Sequence, residues 1–472
     1  MKQSFRANLS ANTVQLCINQ AFSMAVFYFL SKGLSKADFG ELNWTLAIFL
    51  TAFALLSFGL DQIIIKKIAA GEDRPVLLSL HFFHAAVAGF LFYAALFILL
   101  ILFPSFFSHH QLLLLVGAGK LLLFFSTPFK ALAAGAERFR TMLYMSVSAT
   151  LIKGLCVGVL FFENKISLAL IVPVFVLADA SELAFGFMLS RKILKTPFAR
   201  FPRWKAYRNF IKEAFPQLGI VLFSSALARV DWILIGFFLS AFKLAEYSFA
   251  YKAFEAASLP LLVIAPLLLP YFTRLVKEGR SLGQNESVQL LLRAEMVIAC
   301  LAALCLNVIW NPVIDGITGG KYGSVNTRTV FILSMALPVL YLNNFLWTVH
   351  FAHGNMKLIF RSFVLSFFVN VFANFLLIPL YQNEGAALSY LLSVSVQTIF
   401  YLLYQKEEKI IGWQSLLFCS FCALCSGILY KYSSLQAVWM LPLCVALYLF
   451  LLLCTVQLRR ADWQTFKQVL KA

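Results

Sequence analysis

Long runs of apolar residues recur from one end of the chain to the other, and short polar segments separate them. Most runs hold about 20 residues, the length that an α-helix needs to cross the hydrocarbon core of a bilayer. The pattern predicts an all-α polytopic membrane protein with about 14 transmembrane helices. The predicted spans are residues 13–34, 42–65, 76–103, 111–130, 143–162, 166–189, 216–239, 247–272, 288–310, 328–350, 358–380, 384–404, 412–431 and 436–458.

Weak internal similarity divides the chain into two halves. The segments ADFG (37–40) and AEYS (245–248) each follow the first span of a half, and GAERFR (135–140) and HGNMK (353–357) occupy equivalent places. These matches predict a parallel repeat with a substrate site near the midplane, between the halves. The predicted domains are an N-terminal six-helix half (1–190), a basic cytoplasmic linker (191–212), a C-terminal six-helix half (213–405), and two additional transmembrane helices with a cytoplasmic tail (406–472).

The positive charge of the chain follows the predicted topology. The net charge is +18, but 61% of the residues are hydrophobic, which argues against a soluble nucleic-acid-binding protein. With the N-terminus in the cytoplasm, cytoplasmic segments hold about four times as many Lys and Arg residues as external loops. We therefore expect a multi-pass protein with both termini in the cytoplasm. The linker carries eight basic residues and no acid, so it either contacts anionic membrane lipids or only fixes the topology.

The sequence contains no recognisable motif for catalysis or for a cofactor. The external loops are short, no P-loop is present, and all nine cysteines fall in apolar segments. We expect a protein that is not an enzyme and that needs neither a cofactor nor a metal.

Ionisable residues inside the predicted spans are the strongest candidates for function, because a charge at the centre of a membrane costs about 2.5–3.5 kcal/mol. Arg229 is the clearest case, since it lies about 20 Å from one end of its predicted span and about 15 Å from the other. The other cations within spans are Lys120, Lys153 and Lys252, and the acids are Asp61, Asp179, Glu182, Asp231 and Glu255.

Four short segments carry patterns that point to one family. Segment 374–387 reads NFLLIPLYQNEGAA, and it is joined by LSKADFG (34–40), RVDWILIG (229–236) and GKY (320–322). With these segments the chain resembles the polysaccharide biosynthesis (O-antigen and capsule) flippases of the multidrug/oligosaccharidyl-lipid/polysaccharide exporter superfamily. The resemblance implies flipping of undecaprenyl-diphosphate-linked oligosaccharide across the bacterial inner membrane by alternating access. It implies a role in O-antigen, capsule or exopolysaccharide assembly, beside polysaccharide polymerase and chain-length machinery.

A diphosphate substrate would need fixed cations within the membrane, and Arg can bind phosphate oxygens through two parallel hydrogen bonds. We expect Arg229 and Lys252 to bind substrate from the second half, Lys120 and Lys153 from the first half, and Asn19 to add a polar contact. The alternative is that each cation pairs with a carboxylate inside the protein and only organises the helices. Lys252 is also near enough to the span end to extend outward.

Helical spacing sorts the possible partners. Lys252 and Glu255 are three residues apart and can touch, whereas Arg229 and Asp231 are two residues apart and point to different sides of a helix.

The buried acids are candidates for coupling to an ion gradient. Asp179 and Glu182 lie three residues apart, and two like charges so close together suit a proton carrier unless a lysine such as Lys153 neutralises them. The predicted proton- or sodium-coupling residues are Asp231, Glu255, Asp179 and Glu182.

Three other functions are alternatives. A lipid II flippase would be similar in span count, but we would expect buried Arg in its first span, where this chain has only polar residues such as Asn19 and Gln20. A cation-coupled multidrug or metabolite antiporter of the same superfamily would usually have fewer spans than the number predicted here. A membrane oligosaccharide polymerase would need a large external loop with catalytic residues.

Overall fold

The computed structural model describes residues 5–105, 110–199, 204–227, 229–404, 412–432 and 437–457. In these ranges the chain forms helices joined by short turns, and no strand is present. The predicted all-α class is confirmed. The predicted C-terminal tail after residue 457 lies outside the described residues, as do residues 200–203 of the predicted linker.

The helices follow one another along the whole described chain. They are α1 (Phe5–Gly33), α2 (Lys36–Leu56), α3 (Leu60–Ala69), α4 (Arg74–Leu102), α5 (Leu112–Gly135), α6 (Phe139–Phe162), α7 (Leu168–Lys192), α8 (Trp204–Leu227), α9 (Val230–Phe238), α10 (Ala241–Ala257), α11 (Leu259–Lys277), α12 (Glu286–Thr318), α13 (Thr327–Ala352), α14 (Met356–Leu403), α15 (Gly412–Tyr432) and α16 (Ala437–Cys454). A single 3-10 turn, Ser324–Asn326, precedes α13.

Eight helices within the described ranges are long and apolar enough to cross a membrane, judged by length and composition. They are α2, α4, α5, α6, α7, α12, α13 together with its preceding 3-10 turn, and α14. The protein is therefore polytopic, and the count of about 14 spans stays a prediction.

Three predicted spans differ from the structure because each is divided into two helices; they are 42–65, 216–239 and 247–272. The first break contains Gly59 with φ 70°, a left-handed conformation that favours glycine. The second leaves Arg229 in a turn between α8 and α9, so it does not lie inside one continuous helix. The third break falls at Ser258. Pro260 in the first turn of α11 lacks the backbone N–H that would continue the helical hydrogen bonds of α10, so a new helix begins there.

The helix α14 consists of two segments that meet at Gln382, whose backbone is not helical (φ 52°, ψ −128°). Gly385 lies just after this turn, and a Cβ atom there would be only 2.1 Å from the carbonyl oxygen of Leu377. A side chain would therefore force the two segments apart. This close approach explains why a residue without a side chain is needed at Gly385, the first residue of the segment GAA at 385–387.

One compact unit, here called unit 1, comprises Met1–Gly236 and Ser240–Ala245. Its central helix is α5, which packs against α2, α3, α4 and α7, while α6 packs against α1 and α7. The unit also includes α8, which packs on α2 and α3. Lys67 of α3 contacts Glu213 of α8 at 2.9 Å, and this hydrogen bond raises the pKa of Lys67.

The other unit, here called unit 2, comprises Phe237–Leu239 and Glu246–Ala472. Its central helix is α13, which packs against α11, α12 and α14. The helices α15 and α16 pack on α12, where Cys419, Cys422 and Tyr448 join the buried apolar core. The two additional C-terminal helices of the prediction are thus part of this core.

Candidate functional site

A cluster of charged side chains lies buried among α5, α6 and α7 of unit 1. The carboxylate of Asp179 accepts from two ammonium groups, with Lys120 Nζ at 2.7 Å and Lys153 Nζ at 2.5 Å. Asp179 has no exposed surface, and Lys120 is 6% exposed. We call these residues, together with Lys130 and Glu182 described below, the lysine–carboxylate cluster.

Small and aromatic residues allow the helices to meet at this point. A Cβ atom on Gly119 would lie 3.0 Å from the Cα atom of Val176 and 3.3 Å from a carboxylate oxygen of Asp179. Glycine therefore lets α5 and α7 approach closely beside the ion pair. The ring of Phe175 lies 5.9 Å from Lys120 Nζ and 5.3 Å from Lys153 Nζ, which are distances suited to a cation–π contact.

The second carboxylate of the cluster has its own partners one helical turn further along α7. Glu182 accepts from Lys130 Nζ at 2.6 Å and from the Ser126 hydroxyl at 3.2 Å. The sequence places Asp179 and Glu182 close together as like charges, but in the structure each carboxylate is paired with its own lysine partners. The cluster holds three ammonium groups and two carboxylates, and Lys120 and Lys153 share one of those carboxylates.

A cavity of about 360 Å³ opens beside the cluster within unit 1. Such a volume is enough for a small ligand or for the headgroup of a larger one. Both charged and aromatic side chains line the cavity, including Lys120, Lys130, Asp61, Phe49, Phe53 and Phe124. The rings of Phe53 and Phe124 stack with their centroids 4.7 Å apart.

Asp61 is already engaged at the edge of this cavity. One of its carboxylate oxygens lies 3.3 Å from Nε2 of His81 on α4. The neighbouring His84 is also held, because its ring nitrogens lie 3.0 Å from the Tyr207 hydroxyl and 2.7 Å from the Leu56 carbonyl oxygen. The positive groups that line the cavity are Lys120 and Lys130, each of which also holds a carboxylate of the cluster.

Arg229 lies half-buried in the turn before α9. Its guanidinium group lies over the ring of Trp232, 4.4 Å from the centroid. Asp231, in the first turn of α9, is buried and accepts a hydrogen bond from the Trp232 N–H at 2.9 Å. An acid at this end of a helix is favourably placed relative to the helix dipole.

The remaining predicted site residues also have contacts. Lys252 and Glu255 pair within α10 at 2.9 Å, as their spacing predicts, and this contact is confirmed. Asn19 of α1 donates from its amide group to the Ser146 hydroxyl of α6 at 3.5 Å. Arg229 and Asn19 belong to unit 1, whereas Lys252 and Glu255 belong to unit 2.

Unit 2 contains a buried polar network of a different kind, formed by neutral side chains of α13 and α14. Asn343 donates to the Val394 carbonyl oxygen at 2.8 Å and accepts from the Thr398 hydroxyl at 2.7 Å. Further along α14, Asn374 donates to Asn370 at 3.0 Å. We call these four side chains and their hydroxyl neighbours the amide network.

Two ionisable residues with notable surroundings were missed by the sequence reasoning. Lys130 is the last residue of predicted span 111–130, where a lysine is typical of the cytoplasmic boundary, whereas the structure places it inside α5 beside Glu182. Glu295 lies within predicted span 288–310, but it is not among the acids that the sequence reasoning names. The structure buries Glu295 inside α12, with 2% of its surface exposed. A count of every acid within the span limits would have found it.

Comparison with known proteins by sequence identifies a family. Residues 5–276, more than half of the chain, match the family described as polysaccharide biosynthesis protein. A search of curated proteins gives no significant match.

Comparison with solved structures identifies the fold. The chain is similar to the lipid II flippase MurJ in its inward closed conformation, with a TM-score of 0.73, 14% identity, and coverage of 93% of this chain and 97% of that chain. It is also similar to an inward-facing multidrug resistance MATE family transporter of the MOP superfamily, with a TM-score of 0.64, 12% identity, and coverage of 90% and 99%. A third match is the Vibrio cholerae MATE transporter VcmN in the bent form, with a TM-score of 0.52, 14% identity, and coverage of 89% and 99%.

Proposed function

We propose that this chain, which belongs to the polysaccharide biosynthesis protein family, is a transporter that flips a lipid-linked oligosaccharide by alternating access. The carrier we propose is undecaprenyl diphosphate, and the membrane is the bacterial inner membrane, with both termini in the cytoplasm. The translocated units would serve O-antigen, capsule or exopolysaccharide assembly, with a polymerase and chain-length machinery as partners. The family match agrees with the resemblance drawn from the sequence.

The observation that carries this proposal is the cavity of unit 1, which joins two ammonium groups to an aromatic wall. Lys120 and Lys130 line it together with Phe49, Phe53 and Phe124. Ammonium groups suit the phosphate oxygens of a lipid-linked sugar, and aromatic faces suit both sugar rings and an apolar chain.

The lysine–carboxylate cluster supplies ammonium groups that an anion could contact. Its three ammonium groups are held by two carboxylates, and Asp61 on the cavity wall lies 3.3 Å from Nε2 of His81. A diphosphate headgroup that entered the cavity would compete with Asp179 and Glu182 for Lys120 and Lys130. Lys153 would act on the anion indirectly, by drawing the Asp179 carboxylate away from Lys120.

The other residues singled out from the sequence keep their proposed roles. Arg229, Lys252 and Asn19 would contact the substrate at other stages of transport, and Asp231, Glu255, Asp179 and Glu182 would serve ion coupling. Anionic membrane lipids would contact the basic linker 191–212.

The proposal is tested by measuring transport in vesicles. Purified protein is reconstituted with a fluorescent undecaprenyl-diphosphate oligosaccharide, and the rate of flipping is followed for wild type, Lys120→Met and Lys130→Met. Loss of one charge-assisted contact, about 1.5–3 kcal/mol, should slow flipping by about tenfold or more. Lys165→Met is the matched control, because Lys165 also pairs with a carboxylate but is 66% exposed.

Equal rates in wild type and both cavity variants would remove the cavity from the mechanism. Export of a cationic dye by the wild type, without flipping of the lipid-linked sugar, would replace the flippase with the antiporter.

A further inference from the structure

Glu295 is a buried acid that the proposed transport site does not use. It lies on α12, nine residues after Glu286, which is about 14 Å along the helix. Its side chain is 2% exposed, and both carboxylate oxygens are buried. Within the described part of the chain neither oxygen has a hydrogen-bond partner.

Glu295 lies in a segment of α12 that contributes to the apolar core of unit 2. Leu291 and Ala299, one helical turn before and after it, and the adjacent Met296 all belong to that core. No charged group among the described residues is near enough to act on its carboxyl group.

The titratable groups on the packed helices are uncharged at neutral pH or engaged elsewhere. On α13, Tyr341 lies within electrostatic reach of Glu295. On α16, the Tyr448 hydroxyl donates to the Val297 carbonyl oxygen at 3.1 Å, and on α15 the Cys419 thiol belongs to the apolar core. On α11, Arg274 lies over the ring of Tyr271. Arg293 of α12 is two residues from Glu295 and so points to another side of the helix.

An ionised carboxylate in such a place would be very unfavourable. Burying a charge without a partner costs several kcal/mol even after relaxation, and a carboxyl group avoids this cost by binding a proton. The carboxyl groups of Asp179 and Glu182 do not face this problem, because each has a lysine. Glu295 is therefore in a different chemical state from the acids of the lysine–carboxylate cluster.

We propose that Glu295 is a proton-binding site of unit 2, neutral in this conformation and ionised when a conformational change admits water. In the releasing step the O–H bond of the carboxyl group breaks and the proton passes to water, leaving a carboxylate and a hydronium ion. The coupling role of Glu295 rests on the proposed transport function. The binding of a proton by this buried acid does not depend on that function.

A proton fits this site better than a metal ion does. Hard cations take six or more oxygen ligands, whereas Glu295 offers two, and the described residues contain no group of three or more His, Cys, Asp or Glu side chains that could hold a metal. A proton needs one carboxyl oxygen and no further ligand. Intramembrane acids of this kind are used for proton relays in pumps and transporters.

Infrared spectroscopy tests the protonation state directly. The full-length protein in lipid is measured at neutral pH, and the carbonyl stretch of a protonated carboxyl group is identified by its shift on deuteration. We expect one such band to disappear in Glu295→Gln. In Glu295→Asp, which keeps a carboxyl group, the band should shift, and this variant provides the test if Glu295→Gln fails to fold. Glu286→Gln is the control, since Glu286 lies exposed on the same helix. Absence of the band from the wild type, or its persistence in Glu295→Gln, would overturn the proposal.

Transport separates this proposal from the flippase function. An imposed pH gradient should accelerate flipping by the wild type and lose that effect in Glu295→Gln. A gradient effect of the same size in Glu295→Gln would reject the coupling role. If the wild type flips no lipid-linked sugar but shows the band, the proton site stands and the flippase function fails.

Discussion

The lysine–carboxylate cluster of unit 1 and the amide network of unit 2 are both buried, but they differ in charge. In unit 1 the cluster is charged, and Asp179 and Glu182 are held by Lys120, Lys130 and Lys153 from neighbouring helices. In unit 2 the amide network of α13 and α14 is neutral and is joined by hydrogen bonds, although the buried amide oxygen of Asn374 has no hydrogen-bond partner among the described residues. Only the cluster of unit 1 carries full charges, whose electric field a charged ligand would feel most strongly.

This difference suggests a division of roles. The lysine–carboxylate cluster of unit 1 borders a cavity, which under the proposed function would receive an anionic headgroup. In unit 2 the amide network contributes packing, and Glu295, whose carboxylate oxygens have no hydrogen-bond partner among the described residues, is the acid that we propose to bind a proton.

The largest effect should come from removing the carboxylate that two lysines share. Asp179→Ala leaves Lys120 and Lys153 buried with no counter-charge, and breaking a buried pair in this way costs about 3–5 kcal/mol. We expect a large fall in the thermal unfolding temperature of the purified protein in detergent.

The double variant Asp179→Ala with Lys120→Met should recover part of that loss, because one of the two orphaned charges is then gone. Glu163→Ala is the control, since its pair with Lys165 is exposed, and its unfolding temperature should stay at the wild-type value. An Asp179→Ala protein as stable as the control would show that water reaches the cluster and that the contrast between the units is smaller than described.

The sequence predicts much of the fold but less of the site. Helix type follows from runs of apolar residues, and the Lys252–Glu255 contact follows from spacing on one helix, so both are local properties. The contacts of Lys130 with Glu182 and of Lys153 with Asp179 depend on how α5, α6 and α7 align, which no local pattern encodes. The break at Arg229 shows the same limit, because an apolar run there does not reveal that the helix is interrupted. The isolation of Glu295 is likewise a property of its neighbours.

A smaller effect should follow from opening the amide network of unit 2. Asn343→Ala removes the amide that bonds both the Val394 carbonyl oxygen and the Thr398 hydroxyl, but these two groups keep their own hydrogen bond at 3.1 Å. The expected cost is therefore only about 0.5–1.5 kcal/mol. The unfolding temperature should fall by less than in Asp179→Ala. Asn355→Ala is the control, because the Asn355 side chain makes no capping hydrogen bond to α14. A loss as large as that of Asp179→Ala would mean that neutral and charged interiors contribute alike.

The smallest effect should come from the ion pair that lies within one helix. Lys252 and Glu255 are three residues apart on α10, with 18% and 25% of their side chains exposed. Such pairs stabilise a helix by about 0.2–0.5 kcal/mol. Lys252→Met should therefore change the unfolding temperature little, whereas Lys120→Met changes the partners of a carboxylate shared between helices. Lys252→Met could instead leave stability unchanged and slow flipping. The Lys252 ammonium group would then act on the anionic substrate rather than stabilise the fold.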